Sequence, residues 1–341
     1  MDYTYFKDKK VLVTGGAGAI GSRLIRRLLE LNAIVLAVDD LSSGYLWNLP
    51  KSSRLLFIKG DIADDIILKR LFNEEPELIF HLAAFFANQN SIDYPEHDLH
   101  TNGLGTLKLF EYASLTQKIE RFVYASSGCS IYPSDAPMPY KEETTSMFQS
   151  TPYQITKMLG ELYGNYYYKQ KNIPTANARF FNSYGPGEVP GQYRNVIPNF
   201  IFWAMQGLSL PITGTGEESR DFTYVDDIID GLLRLAYYKE AIGDAFNIAA
   251  GREIRIKYLA DTINKLVGND AELEFLQRRK WDTKPRILAS NEKAKKILEF
   301  KPNPVFELGL KKGIEWFKEN WELILKSANF PPGTSSAVRK F

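Results

Sequence analysis

The sequence is poor in cysteine and histidine. Its one thiol, Cys129, has no partner for a disulfide within the chain, and zinc sites built from several cysteines are excluded. Three histidines, His81, His97 and His100, are too few and too badly spaced for a metal cage, so no metal is expected. Neither sign of charge is in excess: 42 Lys and Arg stand against 41 Asp and Glu, a net charge of +1. A nucleic-acid binder needs a strongly basic field, so nucleic acid is not an expected partner. An anionic ligand must instead be held by a few local arginines. No apolar run reaches the roughly 18 residues of a membrane span. The stretch Met1 to Lys10 is too polar for a secretory leader. A cytoplasmic protein without membrane association is expected, and internal repeats and low-complexity segments are lacking. What remains is 341 residues, 44% of them apolar, which suits a large α/β domain with a smaller lobe.

The first half alternates two periodicities. Short apolar runs at 10–14, 33–38, 54–59, 78–82 and 121–126 read as strands. Between them, 20–31, 64–72 and 102–113 carry apolar residues at helical spacing. Uninterrupted apolar strands separated by helices predict a parallel sheet buried on both faces. Beyond about residue 180, Gly185-Pro186-Gly187, Pro190-Gly191, Pro198 and Pro211 mark loops. Helices are then predicted at 225–237, 256–266 and 308–325, and a strand at 245–249. The expected architecture is a Rossmann-type doubly wound parallel sheet over 1–180, to which 222–250 returns. A smaller mixed α/β substrate lobe spans 181–330, and 331–341 is expected to be a mobile tail.

The first strand runs into Thr14-Gly15-Gly16-Ala17-Gly18-Ala19-Ile20-Gly21. A glycine at 15 permits a tight turn, at 18 a close backbone approach to a pyrophosphate, and at 21 close packing of helix on strand. The helix N-terminus then offers free N–H groups and the positive end of its dipole to phosphate. Asp39, 18 positions after Gly21, stands where a carboxylate can accept both hydroxyls of an adenosine ribose. It would repel a 2′-phosphate, so NAD is predicted over NADP. Asp61-Ile62 after the third strand either flanks the adenine or is a turn.

Strand five ends in Ala125-Ser126-Ser127, and Tyr153 and Lys157 follow four residues apart, on one face of a helix. A cation beside the phenol is expected to lower its pKa from about 10 and let it act as a general base. A strand-end serine can share the substrate's hydroxyl.

With these residues in place, the chain resembles the extended short-chain dehydrogenase/reductases, in their nucleotide-sugar epimerase/dehydratase branch. The likeness covers roughly residues 8 to 320. It includes Asp39-Asp40-Leu41-Ser42-Ser43-Gly44, Leu82-Ala83-Ala84, Asn102 to Thr106, Arg179 to Gly187 and Ser219 to Asp227. The last two look most like UDP-hexose and UDP-uronate 4-epimerases. The resemblance implies that Asp40, Ser42, Ser43, Gly44, Leu82, Ala83, Ala84 and Asn102 join Gly15, Gly18, Ala19, Ile20, Gly21, Asp39, Asp61 and Ile62 around NAD. It implies that Tyr153 is the base, that Lys157 binds the nicotinamide ribose and that Ser127 holds the sugar hydroxyl, with Ser126 and Ser130 as alternatives. Asn182 would contact the substrate. Arg220, with Arg279 and Asp282 of Arg279-Lys280-Trp281-Asp282, would hold its diphosphate. A homodimer through 102–113 and 153–168 is also implied.

Two departures stand out. The loop after Ser127 is one residue longer than in the usual epimerases and carries Cys129, read as a small buried filler. The sugar 4,6-dehydratases place Thr-Asp-Glu at this strand end, and this chain has no acid there. The implied function is therefore a nucleotide-sugar 4-epimerase. A ketoreductase, dehydrogenase, dehydratase or decarboxylase on the same scaffold, or a non-catalytic NAD-binding protein, are the alternatives.

Overall fold

A computed structural model describes residues 1–116, 118–279, 282–303 and 305–330. Residues 331–341, where a mobile tail was expected, and Lys280 and Trp281 of the arginine motif lie outside this description. Seven parallel strands form the central sheet: β1 (Lys10–Thr14), β2 (Ile34–Asp39), β3 (Leu55–Lys59), β4 (Leu78–His81), β5 (Arg121–Ser127), β6 (Thr175–Phe180) and β7 (Ala245–Ile248). Their order across the sheet is β7-β6-β5-β4-β1-β2-β3. β1 is central, with Thr14 level with Val38 of β2 and His81 of β4. The chain reverses direction across the sheet between β1 and β4, which opens a crevice at the strands' carboxyl ends.

Alternate side chains of β1 enter two separate cores. Val11 and Val13 pack with the helix Ala19–Glu30 and with Ile228 and Leu232 of the helix Val225–Tyr237. Leu12 faces the other way, among Leu36, Val38, Phe110, Phe122 and Tyr167. Both faces of the strand are thereby buried, which is why its sequence reads as an unbroken apolar run.

The helix Pro152–Lys171 lies on this second face. Pro152 opens it with a pre-set φ, the Thr151 side chain accepts from the Gln154 N–H, and Asn172 ends it at φ 57°. The segment read as one helix over 102–113 begins as a wide-pitched π turn, Leu99–Gly105, and becomes α-helical over Thr106–Ser114.

After β6 the chain builds a second core around Trp203, Leu210, Ile212, Leu259, Ile263, Phe306 and Leu310. A parallel ribbon, Leu210–Thr213 beside Leu273–Leu276, covers part of it. The helix expected over 308–325 is two helices, Phe306–Glu319 and Trp321–Ser327. Asn320 separates them because its side-chain amide donates to the Trp316 carbonyl at 2.8 Å, a local bond that competes with helix continuation. Among the described residues no helix is long and apolar enough to cross a membrane.

Candidate active site

The carboxyl ends of the strands open into one cleft of about 460 Å³. Its floor is the turn after β1. Gly15 has φ +68°, and a Cβ there would lie 2.7 Å from the Ala83 nitrogen. A Cβ on Gly21 would fall 2.1 Å from the Gly15 carbonyl oxygen. Both positions therefore need glycine for close approach. Gly18 caps the helix Ala19–Glu30 with no side chain, so first-turn N–H groups border the cleft beside Ala19, Ile20 and Gly21.

The Asp39 carboxylate lies beside this turn. It accepts from the Leu41 N–H at 2.8 Å and the Ala17 N–H at 3.0 Å, while burial raises its pKa. Gly44 does not line the cleft; a Cβ there would come 2.8 Å from the Asp39 carboxylate, so it makes room for that group. Asp40, Ser42, Ser43, Asp61, Ile62, Leu82, Ala83 and Ala84 do line it. Asn102 does not. It is 1% exposed, and its amide is consumed by Phe85 backbone and Asp98, so it holds up the loop after β4 from behind.

Ser127, Tyr153 and Lys157 meet in the middle of the cleft. The Lys157 ammonium sits 5.7 Å from the Tyr153 ring centre and donates to the Ala125 carbonyl at 2.9 Å. Burial lowers its pKa to about 8. The expected lowering of the Tyr153 pKa does not occur in this arrangement. Burial and the Asp98 carboxylate push the phenol up, and only a hydrogen bond with Ser127 pulls it down. Ser127 also donates to Ser130 at 3.0 Å. Ser126 is 3% exposed, and its hydroxyl has no partner among the described residues. Of the three serines, Ser127 is the one bonded to the phenol.

At the far end, the Arg220 guanidinium donates to both Asp282 oxygens, at 3.0 and 3.2 Å. Arg278 lies 3.7 Å from the same carboxylate, and Arg279, whose pKa burial lowers, feels its charge. Arg220, Arg279 and Lys284 line this end of the cleft with Asp282 and Glu218, and Arg278 stands behind, so cations outnumber acids there. Asn182 lines the cleft between this cluster and Ser127, its amide donating to the Asp221 carbonyl at 3.2 Å.

The NAD-dependent epimerase/dehydratase family matches residues 11–249. The chain belongs to that family. It is similar to the UDP-glucose 4-epimerase of Mycolicibacterium smegmatis, at 34% identity over 91% of this chain and 98% of that one. The structure of epimerase Mth375 from Methanothermobacter thermautotrophicus is 52% identical over 96% of this chain and 97% of that one, with a TM-score of 0.95. The Bordetella bronchiseptica enzyme WbmF, solved with NAD+ and UDP, is 37% identical over 95% of this chain and 96% of that one, with a TM-score of 0.82. As a member of the epimerase/dehydratase family this protein is an enzyme, and its cofactor is NAD. The glycine turn, the bare helix N-terminus and Asp39 fit that dinucleotide.

Asp98, Lys284 and Glu188, in or behind the cleft wall, carry no signal in the sequence pattern. Asp98, fully buried, accepts from Asn102 at 2.7 Å and Thr156 at 2.8 Å beneath the helix Pro152–Lys171. Lys284 donates to the carbonyls of Cys129 at 2.9 Å, Ser130 at 3.4 Å and Tyr132 at 2.5 Å. It thereby pins the longer loop after Ser127, and burial lowers its pKa to about 8. Cys129, half-buried at the cleft wall, accepts from the Asn182 N–H at 3.4 Å, and burial pushes its thiol up to about 11. Glu188 is buried in the cleft wall, its pKa pushed up to about 7 by burial. No spacing signals such roles, because each partner comes from a distant segment.

Proposed function

We propose that this enzyme is a UDP-sugar 4-epimerase, acting on a UDP-hexose or UDP-uronate through a transient 4-keto sugar. The observation that carries the reading is the cleft's polarity. A serine–tyrosine–lysine set lies between a dinucleotide turn and an arginine-bearing wall, Arg220 and Arg279 with Asp282. Arginine forks suit a nucleotide diphosphate. With the diphosphate held there, Ser127 and Tyr153 are placed to bind the sugar's 4-hydroxyl. Tyr153 removes the hydroxyl proton as C4 loses its hydride. Lys157 stabilises the phenolate and holds the nicotinamide ribose. NAD, held by the glycine turn and Asp39, would supply the hydride acceptor and donor. After the keto sugar turns over in the cleft, Tyr153 restores the proton to the oxygen. Ser127 keeps its hydrogen bond to that oxygen throughout, and the Arg220 end fixes the nucleotide while the sugar rotates.

The relatives support this reading: one is named a UDP-glucose 4-epimerase and another was solved with NAD+ and UDP. The test incubates purified enzyme with UDP-glucose, UDP-galactose and the corresponding uronates without added cofactor. Interconversion of a 4-epimeric pair is expected, with no net change in NADH absorbance. Tyr153→Phe should lower kcat by about 10²–10⁴-fold, the range for loss of a general base. Steady NADH accumulation or carbon dioxide release would instead assign a redox or decarboxylase reaction. We further propose a homodimer through the helix Pro152–Lys171 and the segment 99–114.

A further inference from the structure

The segment from Gly187 to Asn195 crosses the mouth of the dinucleotide half of the cleft. Its root is fastened by backbone-directed bonds. Asn48 donates to the Gly187 carbonyl at 2.8 Å, Asn199 exchanges bonds with Gly191 at 2.9 and 3.0 Å, and the Gln192 N–H donates to Asn329 at 3.0 Å. At Gly187 the backbone lies on the phosphate-binding helix terminus, where an added Cβ would be 3.0 Å from the Ala19 carbonyl oxygen. The tip reaches both walls. Arg194 donates to the Ser43 carbonyl at 2.5 Å, on the adenosine side. Tyr193 donates to the Asp93 carboxylate at 2.9 Å, on the short helix Asn88–Asp93 that backs the catalytic tyrosine.

We propose that Tyr193 and Arg194 form a clasp over the dinucleotide groove, with Arg194 the side-chain cation that meets the pyrophosphate of bound NAD. Acids dominate this half of the cleft: Asp39, Asp40, Asp61 and Glu188 all line it. A pyrophosphate needs positive charge among them, and a helix terminus supplies only about half a unit. Arg194 lines the same wall, and its charge is felt by both Asp39 and Glu188. It therefore stands between the ribose-binding acid and the buried carboxyl, above the glycine turn. The two tip contacts are solvent-exposed hydrogen bonds, while the root is tied to three other segments. Opening is thus confined to the tip, and the cofactor leaves only when both contacts part. A cofactor retained in this way would survive many sugar turnovers. The inference rests on the NAD site and not on which sugar reaction the cleft performs.

The test measures release of NAD from purified holoenzyme by trapping it with an excess of a coupling dehydrogenase. Arg194→Met should release NAD about tenfold faster or more, the scale of one hydrogen bond to a charged group. Arg194→Lys should recover part of the retention, because it keeps the charge and loses the planar fork. Tyr193→Phe removes a single hydroxyl from an exposed contact and should accelerate release by a few-fold. Melting temperatures of the NAD-free proteins report whether each variant is folded, and Tyr193→Phe carries the test if Arg194→Met is not. Release rates indistinguishable from wild type in the folded variants overturn the clasp. A wild-type protein that binds no NAD at all overturns the clasp and the cofactor site together, which is a distinguishable outcome.

Discussion

Glu188 shows how a single carboxyl can record the character of its cleft. It follows Gly185-Pro186-Gly187, where loop residues are ordinarily solvated, yet it is buried, with the Asn195 amide donating to it at 2.9 Å. Burial pushes its pKa from 4.5 to about 7. The folded state therefore holds this proton more tightly than the unfolded chain does. The resulting stability is fully present below about pH 4.5 and is lost as pH rises toward 7. Glu188→Gln removes the titration, so the variant should gain on wild type in melting temperature between pH 5 and pH 8. A difference between the two proteins that stays flat across that range would show that Glu188 is ionised and solvated. At the same scale, Tyr153 and Lys157 were legible because four-residue spacing on a helix brings two side chains together. The direction of the tyrosine's shift was not, because desolvation depends on everything packed around the phenol, Asp98 included.

Among the elements, the helix Pro152–Lys171 does two jobs. Its inner face buries Tyr153, Lys157, Gly160 and Gly164. A Cβ on Gly160 would come 2.1 Å from the Tyr124 hydroxyl, so the helix rides close on β5 and sets the height of Tyr153 and Lys157. Its outer face exposes Ile155, Leu162 and Tyr166, about half open to solvent at 55, 51 and 50%, at near-heptad spacing. Leu99 and Leu104 of the adjoining segment are exposed at 56 and 41%. A second copy would cover this apolar surface. The double variant Ile155→Glu, Leu162→Glu should sediment as a monomer where wild type sediments as a dimer, and an unchanged sedimentation coefficient would move the interface elsewhere. Element boundaries were readable where one periodicity ruled, as for β1 and for Val225–Tyr237. They were misread at Asn320 and at the π turn of 99–105, where a side-chain amide or a change of pitch interrupts an otherwise helical pattern.

For the molecule as a whole, the cleft is lined both by the ends of the central sheet and by residues of the second core, Trp203 among them, so a dinucleotide bound there would tie the two together. A ligand held only by the folded state raises stability by about 2.7 kcal/mol at a hundredfold excess over its Kd. NAD added to stripped protein should therefore raise the melting temperature. NADP should raise it less if, as proposed, the Asp39 carboxylate meets the adenosine ribose, where it would repel a 2′-phosphate. Equal stabilisation by the two dinucleotides would remove Asp39 from that role. The proposed clasp residues and Asn182 come from one stretch of chain after β6.

The primary structure by itself determined the parallel sheet, the dinucleotide turn, the acid after β2 and the tyrosine–lysine pair. Each is a short-range pattern in which a few neighbouring residues suffice to dictate geometry. Tertiary structure alone decided the strand order, the gathering of Arg220, Arg278 and Arg279 about Asp282, and the pinning of the Ser127 loop by Lys284. It also decided the reach of Arg194 across to Ser43. Most of those contacts, such as Arg220 with Asp282, Lys284 with the Ser127 loop and Arg194 with Ser43, join residues tens to hundreds of positions apart, and their energies come from burial and charge, which exist only once the chain has closed around them.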